Sequence, residues 1–466
     1  PCGAPGVPRS HPMAHALDRH VALIGFMGAG KTTLGCRVAE LIGRQFFDLD
    51  QEIEKSVRRS IPDLFRREGE AGFRALEAGE TLRTLERERP AVLALGGGDI
   101  ETPAIRDALR EYALTVLVEV EVDTAWERVA GSPRPLATDP EQFRQLYERR
   151  SGLYEEAADA RARDLDDVLL AALGVRIEAG ARAEGDVLLA DPRALELHPL
   201  ELPEVYAVRE KSIEEAQRLW TELRLSRDGE IVGYGGGTTT DLAGFVAATY
   251  MRGVPWIAAP TTLVGQVDAG IGGKTAVDLR EGKNLAGAFH YPEEVVIDPE
   301  LISTLPEEER RAGMAEVVKT GLLAGVDVWD LPEAEMIRAC AAFKSGVCLA
   351  DPYEGGRRAI LNLGHTFAHA LEAASLYTVR HGDAVALGLL AALRLSGIPT
   401  DVVETVLDPR PVAVDRERAW KALQRDKKVR DGRIRLVLLD APGKPMWGVE
   451  RPEAEVRSAL DELITG

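Results

Sequence analysis

Short apolar runs that end in glycine and lead into stretches with helical spacing recur along the chain. His20–Ile24 leads into the glycine-rich segment Gly25–Thr33, and Glu230–Tyr234 leads into Gly235–Gly237. A short apolar run bounded by glycine is typical of a buried strand, and strands that alternate with helices are typical of parallel sheets. The pattern therefore predicts an α/β fold with parallel sheets.

The length and charge of the chain limit its size class and its partners. The chain has 466 residues, 45% of them hydrophobic, and a formal net charge of -19. At roughly 150 residues per domain, this length predicts about three domains. The negative charge disfavours nucleic acid and anionic membrane surfaces as partners, and no run of about 18 apolar residues is present to span a bilayer. We expect small-molecule substrates, held by local clusters of Lys and Arg if they are anionic.

The cysteines and the first residues indicate the compartment. Cys2, Cys36, Cys340 and Cys348 form no CxxC pair and suggest no disulfide framework, which favours a reducing cytoplasm. The first twenty residues lack the apolar core of a signal peptide. We therefore expect residues 1–19 to form a disordered leader of a cytoplasmic protein.

The segment Gly25–Thr33 (GFMGAGKTT) has the pattern GxxxxGK[ST] between a predicted strand and a predicted helix. In such a loop the backbone N–H groups around glycines surround phosphate, the lysine reaches the outer phosphates, and the hydroxyl that follows holds Mg²⁺. We therefore expect ATP with Mg²⁺ here. The residues that would bind them are Gly28, Gly30, Lys31, Thr32 and Thr33.

Three further motifs follow the loop: Asp48–Asp50, Phe73–Glu77 and Gly96–Gly98. In this order, they and the loop resemble shikimate kinase over roughly residues 20 to 172. A carboxylate can accept the proton of a ring hydroxyl, and an arginine can pair bidentately with a substrate carboxylate. The resemblance implies that Asp48 joins Thr32 at Mg²⁺ and that Lys31 and Asp50 are catalytic. It also implies that Arg134 is a lid arginine that closes on the phosphate. The residues implied to hold the acid are Asp50, Arg74, Gly97 and Arg150.

A new strand pattern starts at Val175 with no Ser/Gly-rich or Pro-rich spacer before it. No repeat of about 20 to 50 residues relates the two halves, so the chain is predicted to be a fusion of unlike domains. We place a P-loop domain of the nucleoside-monophosphate-kinase type at residues 20–174.

The second half combines many cations with candidate metal ligands. Glu316, His365 and His381 offer two imidazole nitrogens and a carboxylate oxygen, as in a catalytic zinc site with one open position. His365 and His369, four residues apart on one helix face, could equally be a metal pair. Cations beside glycines or small polar residues can reach phosphate and carboxylate oxygens; they are Lys274, Lys283, Lys319, Lys344, Arg358, Lys427 and Lys428. This half therefore predicts an anionic substrate and a metal.

An ordered series of short motifs from Arg252-Gly253 to Asp426–Lys428, which includes Gly272–Thr275, Gly282–Asn284 and Asn362–His369, resembles 3-dehydroquinate synthase over residues 175 to 466. The resemblance implies Zn²⁺ (or Co²⁺) on Glu316, His365 and His381, with His369 as a neighbouring catalytic group. It implies NAD⁺ contacts from Asp191, Gly236, Gly237, Asp241, Thr261, Thr262, Asp268, Lys283 and Thr304. Substrate contacts are implied for Arg252, Lys274, Asn284, Lys344, Arg358, Asn362 and Lys427, and catalytic roles for Lys274, Lys319 and Arg358.

The same resemblance implies a Rossmann-type NAD-binding α/β domain at residues 175–302 and a mainly α-helical metal- and substrate-binding domain at residues 303–466. In the implied reaction, NAD⁺ oxidises a ring hydroxyl, phosphate leaves, the hydride returns, and an intramolecular aldol closes a carbocycle. A homodimer through the second half is implied as well, with Arg252 reaching the phosphate site of a second subunit.

Two departures and three alternatives stay open at this point. The stretch from Gly180 to Glu230 is shorter than the family's first nucleotide-binding segment, and the usual acid three residues before Lys211 is missing. Affinity for NAD⁺ is therefore the property in which this chain is most expected to differ from the family. The second half could instead be a polyol dehydrogenase or a cyclase of a sedoheptulose phosphate. Alternatively, one half could be a non-catalytic module.

Overall fold

The computed structural model describes residues 16–131, 136, 139–425 and 433–465. The chain divides into two compact units, one that ends at Gly174 and one that begins at Val175. Residues 16–19 fell within the predicted leader, but Ala16 is buried and its N–H donates to the Ala172 carbonyl at 3.2 Å. These four residues therefore belong to the folded first unit.

The first unit contains a five-stranded parallel sheet in the order β2-β3-β1-β4-β5. Its strands are β1 His20–Ile24, β2 Phe46–Asp48, β3 Val92–Ala94, β4 Ala113–Val118 and β5 Ala160–Ala162. Its helices are α1 Lys31–Ile42, α2 Leu49–Val57, α3 Ile61–Leu85, α4 Pro103–Tyr112, α5 Val122–Val129, α6 Pro140–Ala157 and α7 Leu165–Ala172. β1 is buried along its whole length, as its apolar run predicts.

The second unit begins with a six-stranded parallel sheet in the order β6-β13-β10-β9-β7-β8. These strands are β6 Val175–Ile177, β7 Val187–Ala190, β8 Glu204–Ala207, β9 Ile231–Gly235, β10 Trp256–Pro260 and β13 Glu294–Ile297. Three helices lie between them along the chain, α8 Pro192–Leu197, α9 Ile213–Glu222 and α10 Gly237–Thr249. An antiparallel hairpin, β11 Lys274–Leu279 with β12 Gly282–Phe289, packs on α10.

The rest of the second unit is mainly helical and has its own hydrophobic core. Its helices are α11 Glu307–Ala324, α12 Glu333–Ala350, α13 His365–Ala374, α14 His381–Ser396, α15 Asp401–Leu407, α16 Arg416–Arg425 and α17 Glu453–Asp461. A second hairpin joins them, β14 Leu436–Ala441 with β15 Lys444–Val449. The predicted fold, a P-loop α/β domain followed by a Rossmann-type α/β sheet and a helical part, is confirmed.

Two glycines let α13 and α14 cross closely. Gly364 precedes α13 with φ 77°, where a side chain would be strained. A Cβ on Gly388 of α14 would clash with the Gly364 carbonyl oxygen. The crossing thus requires a bare backbone on both sides, and it fixes the distance between the helices that start at His365 and His381.

Membrane insertion receives no support from the helices. Across residues 16–131, 136, 139–425 and 433–465, none is both long and apolar enough to cross a bilayer.

Candidate active sites

The phosphate loop of the first unit joins β1 to α1. Gly25 and Gly28 have φ 139° and 84°, and a Cβ on them would lie 2.6 Å from the Val118 carbonyl oxygen and 2.7 Å from the Ala125 carbonyl oxygen, respectively. Lys31 opens α1, and its Nζ donates to the Gly25 carbonyl at 2.7 Å and to the Phe26 carbonyl at 3.2 Å. The lysine therefore lies over the loop, at the positive end of the α1 dipole.

The two predicted Mg²⁺ ligands lie together. The Thr32 hydroxyl donates to Asp48 Oδ2 at 2.6 Å. Asp48 ends β2 and caps α2, where its side chain accepts from the Gln51 N–H at 3.3 Å. A hydroxyl and a carboxylate at the end of a phosphate loop are oxygen ligands of the kind that Mg²⁺ prefers, so the donor set fits that ion.

The predicted acid-binding residues converge on the turn after β3. A Cβ on Gly98 would overlap the Arg74 guanidinium, and one on Gly97 would lie 3.9 Å from Arg150 Nη1. Asp50 Oδ1 approaches the same turn, 3.0 Å from the Cβ position of Gly96. The turn therefore brings both arginines and the candidate base to one place.

Three further carboxylates surround this turn, and the sequence did not predict them as site residues. Arg74 Nη1 donates to Glu77 Oε2 at 2.5 Å, and Arg150 Nη2 donates to Glu101 Oε2 at 2.7 Å. Asp99 is fully buried; burial and the charges of Glu77 and Asp50 raise its pKa well above the usual range. This shift favours the neutral form of Asp99, while the Thr81 hydroxyl and the Gly96 N–H, which donate to its two oxygens, oppose it.

Arg134, the predicted lid residue, lies outside the described residues. Thr33 lies in the first turn of α1 and is exposed there.

The predicted NAD⁺ residues of the second unit follow the carboxyl ends of adjacent strands. Asp191 follows β7 and accepts from the N–H groups of Arg193 (2.8 Å) and Ala194 (3.2 Å), at the start of α8. A Cβ on Gly236 would lie 3.1 Å from Thr262 Cγ2, which brings the end of β9 to the end of β10. In an open parallel sheet this edge is where nucleotides bind.

Three further NAD⁺ candidates lie at the ends of these strands, together with one residue that the sequence did not predict. Thr261 follows β10 directly, and Gly237 opens α10 beside Gly236. The Thr304 hydroxyl lies 2.7 Å from His198 Nε2. His198 follows α8 closely and shows no motif, so only the folded chain brings it to Thr304.

Lys211 holds together residues from α10 and the first hairpin of the second unit. Its Nζ contacts Asp241 Oδ2 at 2.7 Å and Asn284 Oδ1 at 2.5 Å. The Asn284 N–H donates to Asp278 Oδ1 at 3.0 Å, and its backbone is left-handed at φ 57°. Lys211 was noted in the sequence only for the acid missing before it, yet it positions two of the predicted binding residues.

Glu316 of α11, His365 of α13 and His381 of α14 form the candidate metal centre. One ligand atom from each lies within 4.8 Å of the others. Glu316 Oε1 is 3.5 Å from His365 Nε2 and 3.4 Å from His381 Nε2, and it is buried without a hydrogen bond from the described residues. A buried carboxylate oxygen that faces two imidazole nitrogens is what a zinc ion would complete, so the three residues fit the metal.

Charges around the centre keep Glu316 ionised. Burial opposes its charge, but Lys319 and the two imidazoles outweigh burial and hold the pKa of Glu316 well below its usual range. Burial lowers the pKa of His365 to about 4. The side chain of His381 is 40% exposed; desolvation of its ring favours the neutral form, but the Glu316 and Glu372 carboxylates outweigh it and raise the pKa of His381 to about 10.

A carboxylate outside the triad orients one of its histidines. Glu372 of α13 is buried, and its Oε1 lies 3.5 Å from His381 Nδ1, on the ring side opposite Glu316. The same oxygen lies 3.5 Å from Lys283 Nζ of β12. The His369 and His365 rings lie 5.6 Å apart between centroids. His369 is therefore a neighbour of the metal triad. It is not part of the group of described ligand atoms that Glu316, His365 and His381 form.

Two buried lysines converge on Asp268, which lies in a π-helical turn, Gly265–Ala269. Lys319 Nζ is 3.4 Å from Asp268 Oδ2, and Lys344 Nζ donates to both the Asp268 carbonyl and its Oδ1. Lys319 also pairs with Glu316 Oε2. One lysine thus connects the metal centre to the predicted NAD⁺ residue Asp268.

The remaining predicted substrate residues lie around β11 and Arg358. Lys274 Nζ pairs with Glu354 Oε2 at 2.7 Å, and Asn362 Nδ2 donates to Glu354 Oε1 at 3.3 Å. Arg358 is buried and donates to the Gly272 carbonyl at 2.6 Å, the Pro352 carbonyl at 2.8 Å and the Tyr291 hydroxyl at 3.0 Å. Arg358 therefore also braces the Gly272–Gly273 turn.

Arg252 lies apart from this cluster. It is exposed in a short turn, Tyr250–Arg252, with φ 69°. Lys427 and Lys428 lie outside the described residues.

Comparison with known proteins assigns each part of the chain. Family models match at residues 27–168 (shikimate kinase), 205–312 (3-dehydroquinate synthase N-terminal) and 313–429 (3-dehydroquinate synthase C-terminal). The bifunctional shikimate kinase/3-dehydroquinate synthase of Thermotoga maritima is 33% identical over 478 residues, covering 91% of this chain and 96% of that protein. The similarity thus extends over both units.

Two further relatives concern the second unit. The 3-dehydroquinate synthase of Latilactobacillus sakei is 41% identical over 258 residues, covering 50% of this chain and 73% of that protein. A solved structure of 2-deoxy-scyllo-inosose synthase, complexed with carbaglucose-6-phosphate, NAD⁺ and Co²⁺, aligns at 25% identity with a TM-score of 0.55. It covers 62% of this chain and 96% of that one. Sequence identity is higher to the dehydroquinate synthase than to this other cyclase.

Proposed function

The chain belongs to the bifunctional shikimate kinase/3-dehydroquinate synthase family, and we propose that the two residue clusters described above are its two active sites. Its first activity is the ATP-dependent phosphorylation of shikimate to shikimate 3-phosphate. Its second is the NAD- and metal-dependent conversion of 3-deoxy-arabino-heptulosonate 7-phosphate to 3-dehydroquinate and phosphate. Both belong to aromatic amino acid biosynthesis, and the alternatives of a dehydrogenase, another cyclase or a non-catalytic half are not favoured.

In the first unit, we assign the P-loop to the nucleotide and the turn after β3 to the acid. Backbone N–H groups from Gly28 to Thr33 and the Lys31 ammonium hold the phosphates of ATP, while Thr32 and Asp48 hold Mg²⁺. Arg74 and Arg150 hold the shikimate carboxylate, and Asp50 orients the hydroxyl that attacks. Phosphoryl transfer requires little beyond this positioning and charge neutralisation.

In the second unit, we assign the edge formed by Gly236, Gly237, Thr261 and Thr262 to NAD⁺, with Asp191 at the ribose. NAD⁺ supplies a reversible hydride acceptor, and zinc on Glu316, His365 and His381 supplies a Lewis acid. Lys274 and Asn284 bind the phosphate of the substrate, and Lys319 and Arg358 hold its carboxylate end and hydroxyls. Lys319 also keeps Glu316 charged, so the metal ligand needs no proton loss before it binds.

The observation that carries this assignment is the meeting of Glu316, His365 and His381 from three separate helices beside the buried Lys319. We also propose a homodimer through the second unit, because Arg252 is exposed and makes no ion pair with any described residue. A cytoplasmic location is proposed because Cys36, Cys340 and Cys348, the cysteines in the described ranges, are free thiols.

The assignment is tested with two single variants of the full chain. Lys31→Ala is expected to lose at least about 100-fold in shikimate phosphorylation and to retain cyclisation. His365→Ala is expected to do the reverse, because it lacks a metal ligand. Products are identified by mass spectrometry after incubation with shikimate and Mg-ATP, or with the heptulosonate phosphate, NAD⁺ and Zn²⁺.

The control is the wild-type chain with a chelator, followed by added Zn²⁺ or Co²⁺. Cyclisation should stop and return while phosphorylation in excess Mg²⁺ continues. Loss of both activities in either folded variant would contradict two independent sites.

A further inference from the structure

Glu101 lies between the two arginines assigned to the shikimate carboxylate. It closes the short 3₁₀ turn Asp99–Glu101, directly after Gly96–Gly98. Its Oε2 is 2.7 Å from Arg150 Nη2 and 3.8 Å from Arg74 Nη2. One carboxylate oxygen of the protein thus faces both guanidinium groups, which is the arrangement expected of a bound carboxylate ligand.

The burial of the three side chains shows from which side this carboxylate enters. The side chain of Arg150 is 1% exposed, that of Arg74 18% and that of Glu101 35%. Arg150 makes its one described ion pair with Glu101, and its Nε donates no hydrogen bond to any described residue. Glu101 therefore approaches from the solvent side, the side from which a dissolved acid must also come.

Glu101 is charged at neutral pH. Burial opposes ionisation, but the hydrogen bond and charge of Arg150, and the charge of Arg74, hold the pKa of Glu101 below its usual range. An anionic ligand on these arginines must therefore compete with an ionised carboxylate. A second nitrogen of Arg74, Nη1, already donates to Glu77 at 2.5 Å.

We propose that Glu101 is an internal competitor of the substrate carboxylate and thereby sets the affinity of the kinase site for its acid. The inference rests on the proposed shikimate site. When the acid binds, Glu101 turns outward and gives up Arg150 to the incoming carboxylate, and when the acid leaves, Glu101 returns. Arg150 thus keeps a counter-charge in both states, so the buried guanidinium is never left unpaired.

A purely supporting role for Glu101 predicts the opposite sign. If Glu101 only held Arg150 in position, its removal would loosen the arginine and weaken acid binding. If Glu101 competes, its neutralisation must tighten binding. The sign of the change in affinity therefore distinguishes the two roles.

The test is Glu101→Gln in the full chain, with shikimate affinity measured by titration calorimetry in the presence of Mg-ADP. Glutamine keeps an oxygen that can accept from Arg150, but it removes the charge. We expect shikimate to bind about threefold to tenfold more tightly, from the loss of one charged competitor, and KM for shikimate to fall with it. The analogue with a hydrogen in place of the carboxylate should show no such gain, because it has no group that displaces Glu101 from Arg150.

Glu155→Gln is the matched control, since Glu155 lies on the same helix as Arg150 and makes an exposed ion pair with Arg161. It changes the net charge equally and should leave the affinity unchanged. Equal or weaker binding of shikimate by Glu101→Gln, or an equal gain for the analogue without the carboxylate, overturns the proposal; Glu101→Ala provides a second variant with the same expected sign. Failure of the wild-type chain to bind shikimate would instead overturn the assignment of the site.

Discussion

At the scale of single residues, Glu372 shows how a side chain that no motif marks can decide the behaviour of a metal ligand. Its carboxylate faces His381 Nδ1, which leaves Nε2 of the same ring turned toward Glu316. An acceptor on the far ring nitrogen fixes the tautomer and orientation of a ligating histidine. Glu372 is therefore expected to contribute to metal affinity without contacting the metal.

Replacing Glu372 by Gln should weaken Zn²⁺ binding about tenfold to 100-fold, the usual cost of losing such an outer partner. Affinity is measured by competition with a chromophoric chelator, and Co²⁺ absorption reports the geometry of the site. Glu333→Gln, which removes a partly exposed partner of Arg310 in the same unit, is the control. A variant affinity within about twofold of the wild type would exclude this role.

The residues that the sequence predicted and those it missed differ in a physical way. Lys31 is marked by a local motif, and the metal triad by residue types with strong ligand chemistry. Glu101 and Glu372 are ordinary acids whose roles arise from contacts with residues 49 and 9 positions away, respectively. Such contacts form only in the folded chain, so no spacing of residues in the sequence predicts them.

At the scale of elements, several acidic residues lie at the amino ends of strands in the second sheet, on the edge opposite the NAD⁺ residues. Glu230 precedes β9, Asp186 precedes β7, and Glu293 and Glu294 lie at the start of β13. Burial, followed by the charges of Glu293, Asp186 and Glu294, raises the pKa of Glu230 to about 7. Arg176 of β6 is the cation beside this group and pairs with Glu294 at 2.7 Å.

The raised pKa of Glu230 predicts a pH-dependent stability. A carboxyl whose pKa is higher in the folded state costs nothing while protonated in both states, and its cost grows as pH rises through the folded value near 7. Glu230→Gln should therefore stabilise the second unit by about 1 kcal/mol at pH 8, after allowance for solvent screening, and by less at pH 5.

Scanning calorimetry at both pH values measures this difference. The transition of the second unit is identified as the one that moves when Zn²⁺ and NAD⁺ are added. Exposed Glu201→Gln serves as the charge-matched control. Equal stabilisation by Glu230→Gln at pH 5 and pH 8 would rule out the titration of this carboxyl as the cause.

The predicted strands were confirmed where an apolar run ended in glycine, as at β1 and β9. The first hairpin of the second unit was not predicted as a hairpin. Lys274 and Lys283 were predicted as binding residues but not as members of strands, whereas they lie on paired antiparallel strands. Every position of β12 is exposed or only partly buried, so the strand carries too little hydrophobic signal to be recognised.

At the scale of the whole molecule, the proposed dimer predicts that two inactive variants recover cyclisation activity when they are mixed. If Arg252 completes the phosphate site of a partner, Arg252→Ala and His365→Ala are each inactive in cyclisation for different reasons. Dissociated and reassociated together, they should recover activity in about a quarter of the sites, because half of the random dimers contain one complete site.

Recovery is measured with the cyclisation assay, and the mass in solution is measured by light scattering. Shikimate phosphorylation in each variant controls for folding of the first unit. A wild-type dimer whose mixed variants recover nothing would place Arg252 in its own chain's site.

The close crossing of Gly364 and Gly388 has a consequence for anyone who wishes to transplant the metal centre. Three ligands copied onto a designed helical scaffold would carry the chemistry but not the spacing, because the distance between the helices of His365 and His381 is set by bare backbone against backbone. In a scan of substitutions along the chain, Gly364 and Gly388 should likewise tolerate replacement as poorly as the histidines, although neither glycine is a ligand. A portable copy of this centre therefore includes Gly364 and Gly388, which have no side chain, as well as the three ligands and the outer partner Glu372.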